Sequence, residues 1–276
     1  MEIQQSPLFV QYIQKLGWKT ETIAPYTLFI KSFPFMGAMA KLQRTITLPS
    51  VNTMLPILKK HRVKLLVIEP DSSLSSKSLS GYIKKLQPHV RISAARYLST
   101  KTITIDLSES ENTIFKRFTE AKRRAVRRAI SLGVSVQEST TIQDLIALKS
   151  KTAGLFGDMT VYGIKELWPY FSPKNASILL SKDNLSQITG AVLLLYWDNR
   201  AYYWIAGATK SGKRSFAPTL LVWEALKLAK KHHCKTFDFV GVWDERLPKE
   251  NLAWKGFTKF KEGFGGSSLY YPLSLE

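Results

Sequence analysis

The stretch "QITGAVLLLYWDNRAYYWIAGATKSGKRSFAPTLLVWEALKLAKKHH" (187–233) decides the architecture. Two apolar runs, 187–197 and 200–208, flank Asp198-Asn199. Both of these residues tolerate the left-handed backbone of a tight turn, so the runs read as a β-hairpin. The loop "TKSGKRSF" (209–216) follows. A helix-period run then begins at Ala217, with Pro218 near its first position, where a missing amide proton costs nothing. Beyond it "TFDFVGV" (236–242) reads as a buried strand, "LAWKGFTKFKEGFGG" (252–266) supplies one more helix, and "SSLYYPL" (267–273) a last strand.

Working outward, "ASILLS" (176–181) is a strand ahead of the hairpin, preceded by helices at 141–157 and 163–171. Further back, "TKTITIDLS" (100–108) alternates as a strand does. Residues 1–18 read as an amphipathic helix ending at Gly17. "YTLFIKSFPF" (26–35), "RTITLP" (44–49) and "KLLVIEP" (64–70) read as strands, and "TMLPILKKHRV" (53–63) as a helix. The Ser-rich stretch 71–81 starts a helix. A meander, a long helix, a buried strand, a helix and a final strand are the order of an acyltransferase fold built on a split central sheet.

At 276 residues and 45% hydrophobic content the chain can bury a large core, which excludes a disordered protein. Lys and Arg number 40 against 21 acids, a formal charge of +19, which favours polyanions: RNA, or an anionic membrane surface. One cysteine, Cys234, excludes a disulfide framework and a thiolate zinc site, and the four histidines lack ligand spacing, so no metal is expected. The opening "MEIQQSPLFVQYIQ" lacks the basic-then-apolar order of a secretory leader, and no run matches a membrane span. The expected location is cytoplasmic, with peripheral contact at the inner face of the plasma membrane as an open possibility.

Residues 108–133 read as one helix, capped by Ser108 or Ser110 and ended by Gly133. Phe115, Phe118, Ala121, Ala125 and Ala129 share its apolar face. Seven bases between 116 and 128, among them Arg123 and Arg127, meet a single acid, Glu120. Like charges at that spacing repel, so phosphate contact is the reading preferred over a merely solvated face.

In acetyltransferases of this fold the loop before the long helix offers backbone amides to a pyrophosphate and needs close-set glycines. Here "KSGKRSFAPT" (210–219) has one, Gly212, and Pro218 removes a donor, which disfavours coenzyme A. The chain resembles the Fem family of peptidoglycan bridge-forming aminoacyltransferases. The matching pieces are "TITIDLS" (102–108), "FKRFTEAKRRAVRRAISLGVSV" (115–136), "AVLLLYWDNRAYYWIAGA" (191–208), "FAPTLLVWEALKLAKK" (216–231), "FDFVGV" (237–242) and "FTKFKEGFGG" (257–266), with "SPLFVQYIQKLGW" (6–18) as a weaker counterpart of the family's opening helix.

The resemblance implies two tandem acetyltransferase-like (GNAT, α/β) copies, the first trimmed, divided as 1–105 and 106–276. It implies aminoacyl-tRNA as co-substrate in place of a cofactor. The acceptor would be an amine on a peptidoglycan precursor stem peptide, lipid-linked or nucleotide-linked. The family's Phe-Lys pair maps onto Phe260-Lys261, with Lys261 stabilising the oxyanion of an attacked ester or the tRNA's terminal phosphates. Tyr202 and Tyr203 are the hairpin's candidates for lining the acceptor cleft. Alternate strand residues face opposite ways, so only one can do so. Tyr203 aligns better, which by the same alternation assigns Trp204 to the core. Arg214 is the candidate to meet the tRNA end. Gly265 shapes the turn at the substrate site. The chain departs from the family in the helix at 145–157, where Thr152 is present but Leu155 replaces an arginine that contacts precursor phosphates. Arg44, Arg123 and Arg127 are the bases left for that task. Asp106 and Asp238 read equally as caps, so no general base is assigned.

Two other readings stand beside this one: a coenzyme-A-dependent N-acyltransferase of the same fold, and a non-catalytic RNA-binding protein. The glycines of "FTKFKEGFGG" follow the lysine, and Glu262 comes next, the reverse of a P-loop.

Overall fold

The computed structural model describes residues 1–152 and 162–273. The chain forms two compact units, Met1–Lys101 with Leu269–Glu276, and Thr102–Ser268. The division falls four residues before the 105/106 boundary expected from sequence, and the C-terminal segment returns to the first unit.

In the first unit a 3₁₀ turn (Ile3–Gln5) precedes α1 (Pro7–Lys15), whose cap Ser6 accepts from the Phe9 amide. Strands β1 (Lys19–Ile23), β2 (Tyr26–Phe33) and β3 (Gly37–Gln43) form an antiparallel meander. Helix α2 (Val51–Lys60) crosses to β4 (Val63–Glu69), parallel to β3, and α3 (Ser76–Leu86) crosses to the short β5 (Arg91–Ile92). The sheet order is β1-β2-β3-β4-β5. Leu28, Ile30, Ala40, Leu42, Met54 and Leu66 are at its core.

The strand expected at 44–49 is not formed; its place is taken by β3, seven residues earlier. Arg44 adopts a left-handed φ of 53° that ends the ladder, and the alternating Thr45-Ile46-Thr47 follows as irregular chain.

The second unit opens with β6 (Lys101–Asp106). Where one basic helix was expected there are two, α4 (Glu111–Arg117) and α5 (Glu120–Ser131). Ser110 caps the first, accepting from the Thr113 amide. The break at Phe118-Thr119 is held from outside the segment. Phe118 is buried in an extended conformation (ψ 144°), and the Thr119 amide donates to Gly263 O at 2.9 Å. Then come β7 (Ser135–Ser139), α6 (Ile142–Thr152) and α7 (Ile164–Phe171). Positions 153–157 of the helix expected over 141–157, Leu155 among them, lie outside the described residues.

Strands β8 (Ala176–Lys182), β9 (Ile188–Trp197) and β10 (Arg200–Ala208) form a second meander. The turn residues Asp198 and Asn199 take φ of 49° and 58°, as their dipeptide predicts. A one-turn helix, α8 (Lys210–Arg214), leads into α9 (Ala217–Lys231), then β11 (Thr236–Asp238), α10 (Lys255–Glu262) and β12 (Ser267–Tyr270). The sheet order is β12-β6-β11-β10-β9-β8-β7. Leu221, Val222, Ala225 and Leu226 of α9 pack with Val192 and Leu194 of β9 and with the aromatics Phe118, Phe237, Phe239 and Phe264.

Candidate functional site

The site starts from a strand pair that stops pairing. β10 and β11 run parallel over only three residue pairs, ending at Tyr202↔Asp238. β10 continues to Ala208, but on the other side the strand expected over 236–242 turns away after Asp238. Two residues explain the turn: Val240 has a left-handed φ of 58° and Gly241 one of 122°. The Asp238 carboxylate fixes it, accepting from the Val240 amide at 2.7 Å and the Thr102 hydroxyl at 2.6 Å. Arg200 stands 3.5 Å from its other oxygen. Asp238 is thus a buried brace, and Asp106 an exposed one, its carboxyl held below the usual range chiefly by the Ser108 amide.

The divergence opens a cleft of about 420 Å³. One wall is β10, from Tyr203 through Ala208; the other is Phe239 and Val240 with Phe257, Phe260 and Lys261 of α10. A bulge in the β9–β10 ladder between Tyr203 and Ile205 places Trp204 in the same cleft as Tyr203. Simple alternation predicts Trp204 on the opposite, core-facing side; the bulge is what cancels that period of two. Tyr203 is buried, which raises its hydroxyl well above the usual tyrosine range.

Lys261 sits in the last turn of α10, on a helix and not in a loop. Its Nζ donates to Phe239 O at 2.8 Å and Gly241 O at 2.7 Å, the two carbonyls exposed by the turn after β11. The Phe257 ring centroid lies 4.8 Å from the same atom. Burial lowers its pKa to about 8, opposed by the nearby Asp238 charge. At neutral pH it is a cation with two of three protons engaged, and among the described residues the third has no acceptor. Phe260 flanks it, packs at 5.1 Å on Phe264 and carries Lys122 Nζ 3.6 Å above its ring.

Two further lysines line the cleft that sequence reasoning missed, Lys149 and Lys213. Lys149 Nζ donates to Ala206 O on β10 at 3.3 Å, and burial lowers its pKa. The signal was present: Lys149 lies four residues after buried Leu145, on the apolar face of α6. With three lysines and, among the described residues, no carboxylate in its lining, the cleft suits an anion or a developing oxyanion.

The other expected residues scatter. Arg214 ends α8 and is exposed; its neighbour Lys213 is the one on the cleft. Arg127 is exposed and borders a groove of about 570 Å³ with Arg124, Arg128 and Phe216. Arg123 is turned inward: its Nη1 donates to Lys116 O at 2.9 Å and to Phe118 O, closing the C-terminus of α4. Arg44, expected to hold phosphate, is buried in the first unit. It donates to Pro70 O at 3.2 Å and Ser99 O at 2.7 Å and stacks 3.3 Å from the Tyr271 ring centroid, so its guanidinium braces chain segments instead. Gly265 has φ 74°, and a Cβ there would stand 2.8 Å from the Arg117 carbonyl carbon; its task is the close approach of two backbones. Among the described residues no group of three or more His, Cys, Asp or Glu could hold a metal, and no helix is long and apolar enough to cross a membrane.

A mixed sheet that splits over a cleft, preceded by a smaller sheet of related order, defines a tandem acetyltransferase-like (GNAT) fold. Over residues 174–271, which span the hairpin, α9, β11 and the Lys261 helix, the chain matches the model of the FemAB family. Among solved structures it is similar to FemX, with a TM-score of 0.75 at 12% identity, covering 98% of this chain and 90% of that one. It is also similar to the C-terminal domain of a putative lysylphosphatidylglycerol synthetase from Agrobacterium fabrum (TM-score 0.60, 9% identity, 98% and 87% covered). A tandem GNAT protein from the clavulanic acid biosynthesis pathway is a third (TM-score 0.54, 9% identity, 89% and 77% covered). No curated protein matches the chain in sequence.

Proposed function

We propose that this chain is an aminoacyltransferase that moves an amino acid from aminoacyl-tRNA to an amine on a peptidoglycan precursor stem peptide, lipid-linked or nucleotide-linked. The observation that carries the reading is the split-sheet cleft whose walls are lysine-braced and, among the described residues, free of carboxylates. Attack of a neutral amine on an aminoacyl ester places negative charge on the carbonyl oxygen. Lys261, pinned by Phe239 and Gly241 and with one proton to spare, is the cation to receive it. The ester oxygen leaves readily, so no general base is required of the protein. The FemAB match and the fold shared with FemX support aminoacyl transfer as the reaction class.

Coenzyme A is disfavoured as donor by the loop before α9. The amides of Gly212, Lys213, Ser215, Phe216, Thr219 and Leu220 all donate within the chain, and Pro218 has none to give. A pyrophosphate would find few free donors there. The exposed arginines of α5 favour the phosphates of RNA as the donor's handle. The test is incubation with a charged tRNA pool and either precursor, the product weighed by mass spectrometry. A mass gain of one amino-acid residue on the precursor is expected. Acetylation from acetyl-coenzyme A with no aminoacyl product would overturn the assignment, and salt-sensitive RNA binding with no transfer at all would leave a binding protein in its place.

A further inference from the structure

The turn between β2 and β3 carries "FPFM" (33–36). Of the fourteen exposed large apolar residues described, three stand in these four positions: Phe33, Phe35 at 108% and Met36 at 72% relative exposure. The exposure is built in. The Met36 amide donates to Pro34 O at 2.8 Å, and Phe35 is held at φ 63°, a left-handed conformation unfavourable for an aromatic residue. The side chain gains no contact within the fold for that cost.

The fold sets a block of cations beside this tip. "KKHRVK" (59–64) ends α2 and starts β4, and β4 enters the sheet with Val63 opposite Ala38, directly after the turn. The Ala38 amide donates to Arg62 O at 3.1 Å, and the Lys64 side chain lies along Gly37, 2.7 Å from where a Cβ would be. Glu21 pairs with Lys60 and His61. Among the described residues no carboxylate pairs with Lys59, Arg62 or Lys64.

We propose that the 33–36 turn inserts into the interfacial region of an anionic lipid bilayer, with Lys59, Arg62 and Lys64 meeting lipid phosphates around it. Aromatic and thioether side chains on a convex tip, collared by unpaired cations, complement a surface that is apolar beneath and negative above. Nucleic acid would use the cations and leave Met36 and Phe35 in water. The proposal concerns the first unit and is independent of the chemistry read in the cleft.

The experiment is co-sedimentation of the full chain with vesicles of mixed phosphatidylglycerol and phosphatidylcholine, compared with phosphatidylcholine alone. Binding to the anionic vesicles is expected. The double variant F35S/M36S should weaken it by about tenfold or more per residue, the loss expected for an apolar side chain that stays in water. R62E/K64E should weaken it by roughly fivefold per cation removed and reduce its salt sensitivity, with Lys59 still in place. Both pairs are exposed, so circular dichroism should be unchanged. An environment-sensitive fluorophore on F35C, selective because native Cys234 is buried, should brighten on anionic vesicles. Failure of the full chain to bind, undiminished binding by F35S/M36S, or a silent label on bound protein would each overturn the proposal. A response of the label to tRNA or to a protein in place of vesicles would do the same.

Discussion

Replacing Lys261 with methionine removes the charge and its two hydrogen bonds while keeping most of the side chain's volume. The Nζ contacts at 2.7 and 2.8 Å show an ammonium fixed in place before any substrate arrives. Removing one fixed donor from an oxyanion site costs on the order of 10²–10³ in rate, or about 3–4 kcal/mol. Transfer by Lys261→Met is expected to fall by that factor in single-turnover assays with charged tRNA and precursor. The pH profile supplies the second readout. With a pKa near 8, wild type should lose rate as pH rises through 8 and Lys261 discharges, and that descending limb should vanish in the variant. For stability, the folded pKa is depressed below the usual 10.5, so between about 8 and 10.5 the unfolded chain binds more protons than the folded one. Wild-type stability should therefore rise with pH across that window, and below it the burial cost is fully present. Lys261→Met escapes that cost but leaves Phe239 O and Gly241 O unpaired, about 1 kcal/mol each, so its net stability at pH 7 should stay near wild type. A folded Lys261→Met that transfers within threefold of wild type, or that keeps the limb near pH 8, would refute the oxyanion assignment.

Gly265→Ala should lower stability by about 1–3 kcal/mol in urea, because it combines a left-handed φ of 74° with a clash on the Arg117 carbonyl; a change under about 0.5 kcal/mol would show that the turn yields. Arg127→Gln should reduce the salt slope of RNA binding by about 1 and leave the melting temperature alone. Arg123→Gln should do the opposite, destabilising by about 1–3 kcal/mol as the α4 carbonyls lose their donor, with the slope unchanged. Arg44→Lys should also destabilise by about 1–3 kcal/mol, since an ammonium cannot reach both Pro70 O and Ser99 O while stacking on Tyr271; chemical denaturation checks it.

What was legible in the sequence was local. Asp198-Asn199 dictates its own turn, Pro218 marks the start of α9, and Ser110 announces α4, because each acts through backbone preferences of its neighbours. What was not legible is set by residues far apart in the chain. The apolar periodicity from Phe115 to Ala129 runs without interruption through the α4/α5 break, which depends on the Gly263 carbonyl taking the Thr119 amide. Alternation assigned Trp204 to the core because nothing local marks a bulge at that position. Arg44 and Arg123 carry the same side chain as Arg127. Their employment as donors to buried carbonyls follows from burial, and burial is a property of the fold.

The cleft itself shows why its chemistry and its stability are joined. A parallel strand pair that separates leaves backbone carbonyls without partners on both walls, and unpaired carbonyls are costly once shielded from water. Here lysines from helices serve them: Lys149 on Ala206 of β10, and Lys261 on Phe239 and Gly241 beyond β11. A neutral amide donor would avoid desolvation of a charge, but Asn is two bonds shorter than Lys and would not span the same distance. The use of ammonium groups comes at the expense of depressed pKa values. It makes sense where the groups that hold the walls apart are also the charges a substrate's oxygen meets between them.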